Sequence, residues 1–138
     1  MAELQKLKSK ELQYTEISFT IGNYHELVKN PKKTKKGNEL NKHLWIAFVE
    51  YSPDKRLTFR FIDKVKFGFH ESFGFDHKLV KSTFGKRVQW QQIGWGYFDM
   101  PITVYFKKET GLKPLEIEHE LCFDGNGLWK KYKVKIEK

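Results

Sequence analysis

Hydrophobic and polar residues alternate along most of the chain. The clearest run has an apolar residue at every second position: Phe98, Met100, Ile102, Val104 and Phe106. A period of two places these side chains on one face of a β-strand. Pro101 falls on the opposite face, and its missing N–H favours an edge position in the sheet. The pattern therefore predicts an edge strand over residues 98–106.

Similar patterns predict the other strands. Extended segments are expected over residues 17–21, 44–51, 57–69, 78–81, 88–92, 115–123 and 129–136. The first should end at Gly22-Asn23, before a lysine-rich loop, and the segment 57–69 is either one bent strand or two. Turn residues at 52–54 and at 124–127 predict two β-hairpins. With no convincing crossover helix, we expect an all-β fold: an immunoglobulin-like sandwich of seven or eight antiparallel strands.

The length of 138 residues fits one domain, which we place at residues 15–138. Residues 1–14 carry three leucines among charged residues and predict an N-terminal arm or short helix. The single cysteine, Cys122, cannot form an internal disulfide. No apolar run reaches the roughly 20 residues that span a bilayer, and the start lacks the apolar core of a secretory signal. We therefore expect a soluble intracellular protein that does not enter a membrane.

Basic residues exceed acidic ones, with 26 Lys and Arg against 17 Asp and Glu and a net charge of +9. The lysines concentrate in two stretches, residues 29–36 and 130–135. A basic intracellular domain is attracted to polyanions, of which nucleic acid is the commonest. Each stretch is therefore either a phosphate-contacting patch or an ordinary solvated surface.

Familiar catalytic and cofactor motifs are missing from the sequence. It has no phosphate-binding loop, no zinc-protease or paired-cysteine motif and no nucleophile elbow, and its five histidines show no metal-ligand spacing. The strongest enzymatic alternative pairs Ser72 as a nucleophile with His70 as its base. No oxyanion-hole motif or orienting carboxylate accompanies them. We therefore predict a binding protein without cofactor or metal ion, and not an enzyme.

Two short loops combine aromatic rings with glycine at the end of a predicted strand. The first is H-E-S-F-G at residues 70–74, and the second is G-W-G-Y-F at residues 94–98. Glycines on both sides of Trp95 allow a tight turn that leaves its N–H accessible. A glycine after Phe73 allows the chain to turn, so that Ser72 and Phe73 can line one pocket. These two loops form the candidate binding site.

In order and spacing, these segments resemble a YEATS domain. The resemblance runs from H-L-W at residues 43–45, through V-K-F-G-F-H-E-S-F at 65–73 and G-W-G-Y-F at 94–98, to P-I-T-V-Y-F at 101–106. It covers residues 44–123, most of the chain, and the H-E-S-F and G-W-G pieces are its specific part. The resemblance implies an immunoglobulin-like sandwich that reads acylated lysines on histone tails.

Carried over residue by residue, the resemblance assigns roles around one acyl-lysine. Phe73 and Trp95 would hold the acylated side chain between their rings, and His70 would line the pocket wall. The Ser72 hydroxyl would accept the amide N–H, and the backbone N–H of Trp95 would donate to the acyl carbonyl. Members of the family tend to prefer the flat crotonyl group to acetyl, and we expect the same here. The implied site comprises six residues: His70, Ser72, Phe73, Gly94, Trp95 and Gly96.

The resemblance also implies partners and a location. Glu120 falls where the family has an acidic residue beside the histone tail, which we expect to be that of H3. Nucleosomal DNA is the expected partner of four lysines: Lys32, Lys33, Lys35 and Lys36. The protein should act in the nucleus with subunits of a chromatin-modifying complex. Two alternatives stay open: a general basic chromatin or nucleic-acid binding module, and a scaffold subunit, both without acyl-lysine dependence.

Overall fold

The computed structural model describes residues 16–33, 40–69, 76–94 and 98–135. They contain eight strands: β1 (Glu16–Lys33), β2 (Leu40–Ser52), β3 (Ile62–Gly68), β4 (His77–Lys81), β5 (Val88–Gly94), β6 (Asp99–Phe106), β7 (Leu115–Glu120) and β8 (Gly127–Lys135). The helical pieces are short: a 3-10 turn at Lys55–Leu57, the helix α1 (Thr58–Phe61) and a 3-10 turn at Lys108–Thr110. No helix in these ranges is long and apolar enough to cross a membrane. The predicted N-terminal arm, residues 1–14, lies outside them.

The strands form two antiparallel sheets of four strands each. Sheet A has the order β5-β2-β1-β8, and sheet B has the order β4-β3-β6-β7. The prediction of an all-β, immunoglobulin-like sandwich is confirmed, with eight strands. The chain changes sheet after β2, β4, β5 and β7. Most neighbours in sequence are therefore joined across the core and not by hairpins.

The core lies between the inward faces of the two sheets. The alternation predicted for β6 is confirmed, because Met100, Ile102 and Val104 are fully buried while Pro101 is exposed. Burying one such side chain contributes about 1.5–3 kcal/mol to folding. The largest side chains buried in this core come from both sheets: Phe19, Trp45, Phe67, Ile21, Ile62 and Met100.

The edge position predicted for β6 was wrong, because β6 lies between β3 and β7. Pro101 avoids a lost hydrogen bond in another way. The register with β3 ends at the pair Phe67 and Ile102, so Pro101 lies one residue beyond that ladder. A Cβ at the neighbouring Gly68 would come 2.5 Å from the Pro101 ring, so a glycine there makes room for the proline.

β1 continues through Gly22-Asn23, where the sequence predicted its end. In the register, Gly22 lies between Phe48 of β2 and Trp129 of β8. A Cβ at Gly22 would stand 2.7 Å from the Cβ of Trp129. Glycine is therefore needed here for a close approach of strands and not for a turn.

The first predicted hairpin does not form, because residues 57–61 are helical and the chain leaves sheet A after β2. The Asp54 carboxylate accepts the backbone N–H of Arg56 and caps the 3-10 turn. The Thr58 hydroxyl accepts the backbone N–H of Tyr51 at 3.0 Å, which fastens the helix to β2. The capped turn and the helix thus replace the first half of the extended segment that the alternating pattern predicted. The second half of that segment forms β3.

The second predicted hairpin was also wrong, although its turn has the expected chemistry. Gly125 and Gly127 both adopt positive φ, at 55° and 112°. The turn leads from β7 in sheet B to β8 in sheet A, and β8 pairs with β1. The backbone N–H of His25 donates to the Asn126 carbonyl at 2.8 Å and holds the turn against β1. Turn residues predicted where the chain reverses, but not which strand it then joins.

The buried amide of Asn23 joins the two sheets at this crossover. Its Nδ2 group donates to the carbonyl of Cys122 at 2.8 Å, and its Oδ1 accepts the backbone N–H of Cys122 at 3.0 Å. The same Oδ1 accepts a hydrogen bond from Nε2 of His119 at 2.7 Å. β1 is thereby tied to both β7 and the segment that leads to β8.

Stability should fall in mild acid because His119 is buried. Burial, together with the nearby charge of Lys130, lowers the pKa of His119 from 6.5 to about 4. As the pH falls through that range, the unfolded chain binds a proton that the folded protein does not, so the folded state loses stability. The shift corresponds to about 3 kcal/mol in the free energy of unfolding.

Chemical denaturation at pH 6.5 and pH 4 measures this loss. The control is His119→Gln, which keeps a hydrogen-bond donor but has no titrating group. It should lose less stability than the wild type over this pH range. Equal acid sensitivity of the two proteins would contradict the role of His119.

Candidate functional site

The two loops of the candidate site begin and end at one end of the sandwich. Residues 70–75 follow β3, and residues 95–97 follow β5 and precede β6. The backbone N–H of Phe69 donates to the Asp76 carbonyl at 2.9 Å, which closes the base of the first loop. Of the six predicted site residues, Gly94 is described: it is buried at the end of β5. The other five lie outside the described residues: His70, Ser72, Phe73, Trp95 and Gly96.

Four aromatic side chains support the bases of both loops, and we call them the aromatic floor: Trp45, Phe69, Trp90 and Phe98. Phe69 comes directly before the first loop and Phe98 directly after the second. The centroids of their rings are 6.3 Å apart. The fully buried Trp45 lies beneath them, at 5.9 Å from Phe69 and 6.3 Å from Phe98. Trp90 meets Phe69 edge-on at 6.3 Å. Packed aromatic contacts in the floor thus hold the residue before the first loop next to the residue after the second loop.

Two histidines, which no sequence pattern paired, are in contact near the floor. His25 Nε2 and His43 Nδ1 are 2.8 Å apart, and His25 Nδ1 is 2.9 Å from the Gly125 carbonyl. A carbonyl only accepts, so His25 carries a proton on Nδ1, and in its neutral form its Nε2 accepts from His43. Both rings stack on Phe123, with centroids 5.0 and 4.2 Å away.

This pair positions the end of β5. His43 pairs with Gly94 in the β2–β5 register, directly before the second loop. His25 is on β1, and its partner Gly125 is in the crossover to β8. The hydrogen bonds therefore link β1, β2 and the crossover to β8 next to the site. His25 and His43 are 18 positions apart in the sequence, so no short motif contains both, and only knowledge of the β1–β2 register would have revealed the contact.

Carboxylates line the outer face of sheet B, and we call them the acidic strip: Asp99, Glu116, Glu118 and Glu120. All four are exposed. Asp99 and Glu120 are partners in the β6–β7 register, at the end of the sandwich that carries the loops. The N–H of Leu121 donates to the Phe98 carbonyl at 3.1 Å, which holds Glu120 close to Phe98, the residue before β6. The sequence singled out Glu120, but Asp99 was missed because its partner comes 21 residues later.

The lysine-rich stretch predicted as a loop is partly a strand, which corrects that prediction. β1 runs to Lys33, and Lys32 and Lys33 pair with Asn41 and Leu40 of β2. β2 pairs with β5 only as far as Gly94, so β1 and β2 extend beyond the end of β5. Lys32 and Lys33 therefore lie at the end that carries the loops. Lys35 and Lys36 lie outside the described residues.

The described side chains include no cluster of three His, Cys, Asp or Glu that could hold a metal ion. The enzymatic alternative of Ser72 with His70 falls outside the described residues. Neither catalysis nor metal binding thus gains a supporting observation. The described residues offer an aromatic floor and an exposed carboxylate pair at one end of the sandwich, and negative charge there is complementary to a basic peptide.

Comparisons with known proteins show which family and which relatives the chain resembles. The model of the YEATS family matches residues 40–125. The Protein AF-9 homolog of Gibberella zeae is 33% identical over 79 residues, which are 57% of this chain and 29% of that protein. The Transcription initiation factor TFIID subunit 14b of Arabidopsis thaliana is 25% identical over 121 residues, 85% of this chain and 39% of that protein. The chain thus spans well under half the length of these relatives.

Solved structures share the fold. The Yaf9 YEATS domain superposes with a TM-score of 0.68 at 22% identity, over 89% of this chain and 86% of that one. The Yaf9 YEATS domain bound to H3K27ac gives a TM-score of 0.66 at 25% identity, over 88% and 82%. A third, in which the Yaf9 YEATS domain recognises an H3K122suc peptide, gives 0.67 at 23% identity, over 87% and 84%.

Proposed function

Because this chain belongs to the YEATS family, we propose that it reads acylated lysines on histone tails. The observation that carries the proposal is the placement of the two loop bases. The rings of Phe69 and Phe98 lie 6.3 Å apart on the aromatic floor, so the described residues that border the two loop segments are neighbours. Yaf9 YEATS domains with the same fold bind acetylated and succinylated H3 peptides.

The proposed chemistry follows from what acylation does to lysine. Acylation removes the charge and creates a flat amide, which stacks on aromatic faces and needs neutral hydrogen-bond partners. Phe73 and Trp95 supply the faces, and His70 lines the wall. The Ser72 hydroxyl accepts the amide N–H, while the Trp95 N–H, between Gly94 and Gly96, donates to the acyl carbonyl. An unmodified ammonium would lose hydration there and find no counter-ion.

The roles proposed for Phe73 and Trp95 favour crotonyl over acetyl. The crotonyl group is flat and conjugated, so it extends the stacking between Phe73 and Trp95 beyond the amide. The smaller acetyl group is too short to contact that part of the aromatic faces. A crotonylated peptide should therefore bind more tightly than an acetylated one of the same sequence.

Trp95→Ala should weaken binding of an acylated H3 peptide by about 2 kcal/mol or more, as expected for a central aromatic anchor. Ser72→Ala should cost about 1–2 kcal/mol, because the amide N–H loses its acceptor. Isothermal titration calorimetry measures both. Trp129→Ala is the matched control: it removes a tryptophan that is 45% exposed on β8, away from the loops, and should leave affinity unchanged.

All three variants should remain folded, which thermal unfolding checks. Collapse of the domain in Trp95→Ala would identify Trp95 as a core residue and would end its assignment to the pocket. Unchanged affinity in folded Trp95→Ala and Ser72→Ala would contradict the proposed site.

The acidic strip is the proposed contact for the basic residues around the acyl-lysine. Asp99 and Glu120 are exposed partners at the end of the sandwich that carries the loops. Two like charges directly opposite each other are mutually unfavourable, and a cationic side chain between them relieves that cost. An arginine of the histone tail fits this position.

The double variant Asp99→Asn/Glu120→Gln should weaken binding of the acylated peptide about threefold to tenfold, because exposed charge pairs contribute modestly. The difference should shrink as salt is raised. A control with the same loss of charge is Asp63→Asn/Glu109→Gln, whose exposed carboxylates lie beside the other ends of β3 and β6. Peptide titrations at low and high salt make the comparison. Equal effects of both double variants would remove the acidic strip as a specific contact.

Nucleosomal DNA is proposed as a second partner, bound at the same end of the sandwich as the acylated tail. Lys32 and Lys33 extend past Gly94, and Lys35 and Lys36 follow them in the sequence. Lysines near a histone tail contact DNA through phosphates without reading bases. Changing all four to Gln should lower the slope of log affinity against log salt for duplex DNA by about 3–4. An unchanged slope would remove the idea.

The alternative function is a general basic chromatin or nucleic-acid binding module. Its support is the net charge of +9. Such a module would bind unmodified and acylated peptides alike, and its affinity for DNA would fall steeply with salt. A nuclear location and assembly with a transcription or chromatin-modifying complex are also proposed, since the relatives include a TFIID subunit. Imaging and affinity purification of a tagged chain test these two points.

A further inference from the structure

A second concave site lies at the opposite end of the sandwich from the loops. It encloses about 510 Å³ between the end of β4, the turn into β5 and the 3-10 turn after β2. β5 begins near this cavity and ends at Gly94, so about 20 Å of strand separates it from the acyl-lysine site. Four cationic side chains line the cavity, and we call it the basic pocket: Lys55, Lys81, Lys86 and Arg87.

The charge of the basic pocket is largely uncompensated. None of the side chains that line it in the described structure is acidic. Within the described ranges, Lys55, Lys81 and Lys86 form no ion pair. The carboxylate next to Lys55 in the sequence belongs to Asp54 and is bound by Arg56, whose hydrogen bond lowers its pKa. Four like charges around one concavity repel one another, and an anion between them relieves that repulsion.

Arg87 is fixed in place before any ligand arrives. Its Nε–H donates to Gln89 Oε1 at 2.7 Å. Its guanidinium lies over two rings, 4.8 Å from the centre of Tyr24 and 5.1 Å from that of Phe48. Glu50 stands 4.0 Å from it, at the limit of an ion pair. Arg87 therefore contributes a positive charge at a fixed position to the lining of the pocket.

We propose that the basic pocket binds a compact small molecule that carries several phosphate groups. Its volume falls in the range of small-ligand sites. Several phosphates on one compact ring can each meet a different one of the four cations. Duplex DNA is a convex rod that lies across extended basic surfaces, so a concave site favours a compact polyphosphate over it. The hydroxyl of Thr83, which also lines the pocket, adds a neutral donor for a phosphate oxygen.

Inositol hexakisphosphate is the probe for this site, with calorimetry at about 150 mM salt to suppress weak surface attraction. Lys81→Gln/Lys86→Gln should weaken its binding about tenfold or more, because two charge-assisted contacts are lost. Lys131→Gln/Lys133→Gln removes the same charge from exposed positions of β8 and should change affinity less than about twofold. NMR should place the largest amide shifts at residues 83–87.

Three results would overturn the proposal. The first is no binding of inositol hexakisphosphate at about millimolar concentration. The second is equal weakening by both double variants, which would show attraction by net charge alone. The third is a duplex DNA that shifts residues 83–87 more strongly than the polyphosphate, which would make the pocket a nucleic-acid contact. Acyl-peptide affinity in Lys81→Gln/Lys86→Gln should stay unchanged, since the two sites are at opposite ends.

Discussion

The hydrogen bonds of Asn23 hold together the crossover on which the end of the sandwich depends. One buried amide satisfies the backbone N–H and carbonyl of Cys122 and binds His119, so β1 is fastened to β7 across the core. Removing that amide would leave buried polar groups unpaired, which costs more than an average hydrogen bond contributes. β7 ends at Glu120, so the link from β1 to β7 also fixes the position of the carboxylate pair Asp99 and Glu120. The crossover then brings Gly125 to His25, and His25 to His43 beside Gly94.

The molecule has two ends of different chemistry, separated by the length of its strands. One end carries the aromatic floor, the histidine pair, the loops and the near part of the acidic strip. The other carries the basic pocket, where Arg87 and three lysines surround a cavity. A net charge of +9 therefore averages an uneven distribution, with exposed carboxylates on the outer face of sheet B and a cluster of cations around the basic pocket.

Local patterns predicted the strands well and their partners poorly. β6 was predicted because its apolar period of two follows directly from the pleat, and burial of Met100, Ile102 and Val104 confirms it. Both hairpins were wrong, because turn residues determine that a chain reverses and not which sheet it joins. The histidine pair and Asp99 were missed since their partners are distant in sequence. The roles proposed for Ser72 and Trp95 came from resemblance to a family. The pattern of residues within one loop does not predict how two separate loops are arranged around a ligand.

The central claim is that recognition at the loops depends on acylation of lysine. The most direct measurement is calorimetric titration of the wild-type chain with H3 peptides of one sequence carrying unmodified, acetylated or crotonylated lysine. We expect the tightest binding for the crotonylated peptide, weaker binding for the acetylated one and the weakest for the unmodified one. Equal affinity for all three would contradict it and would assign the function to the charged surfaces of the sandwich.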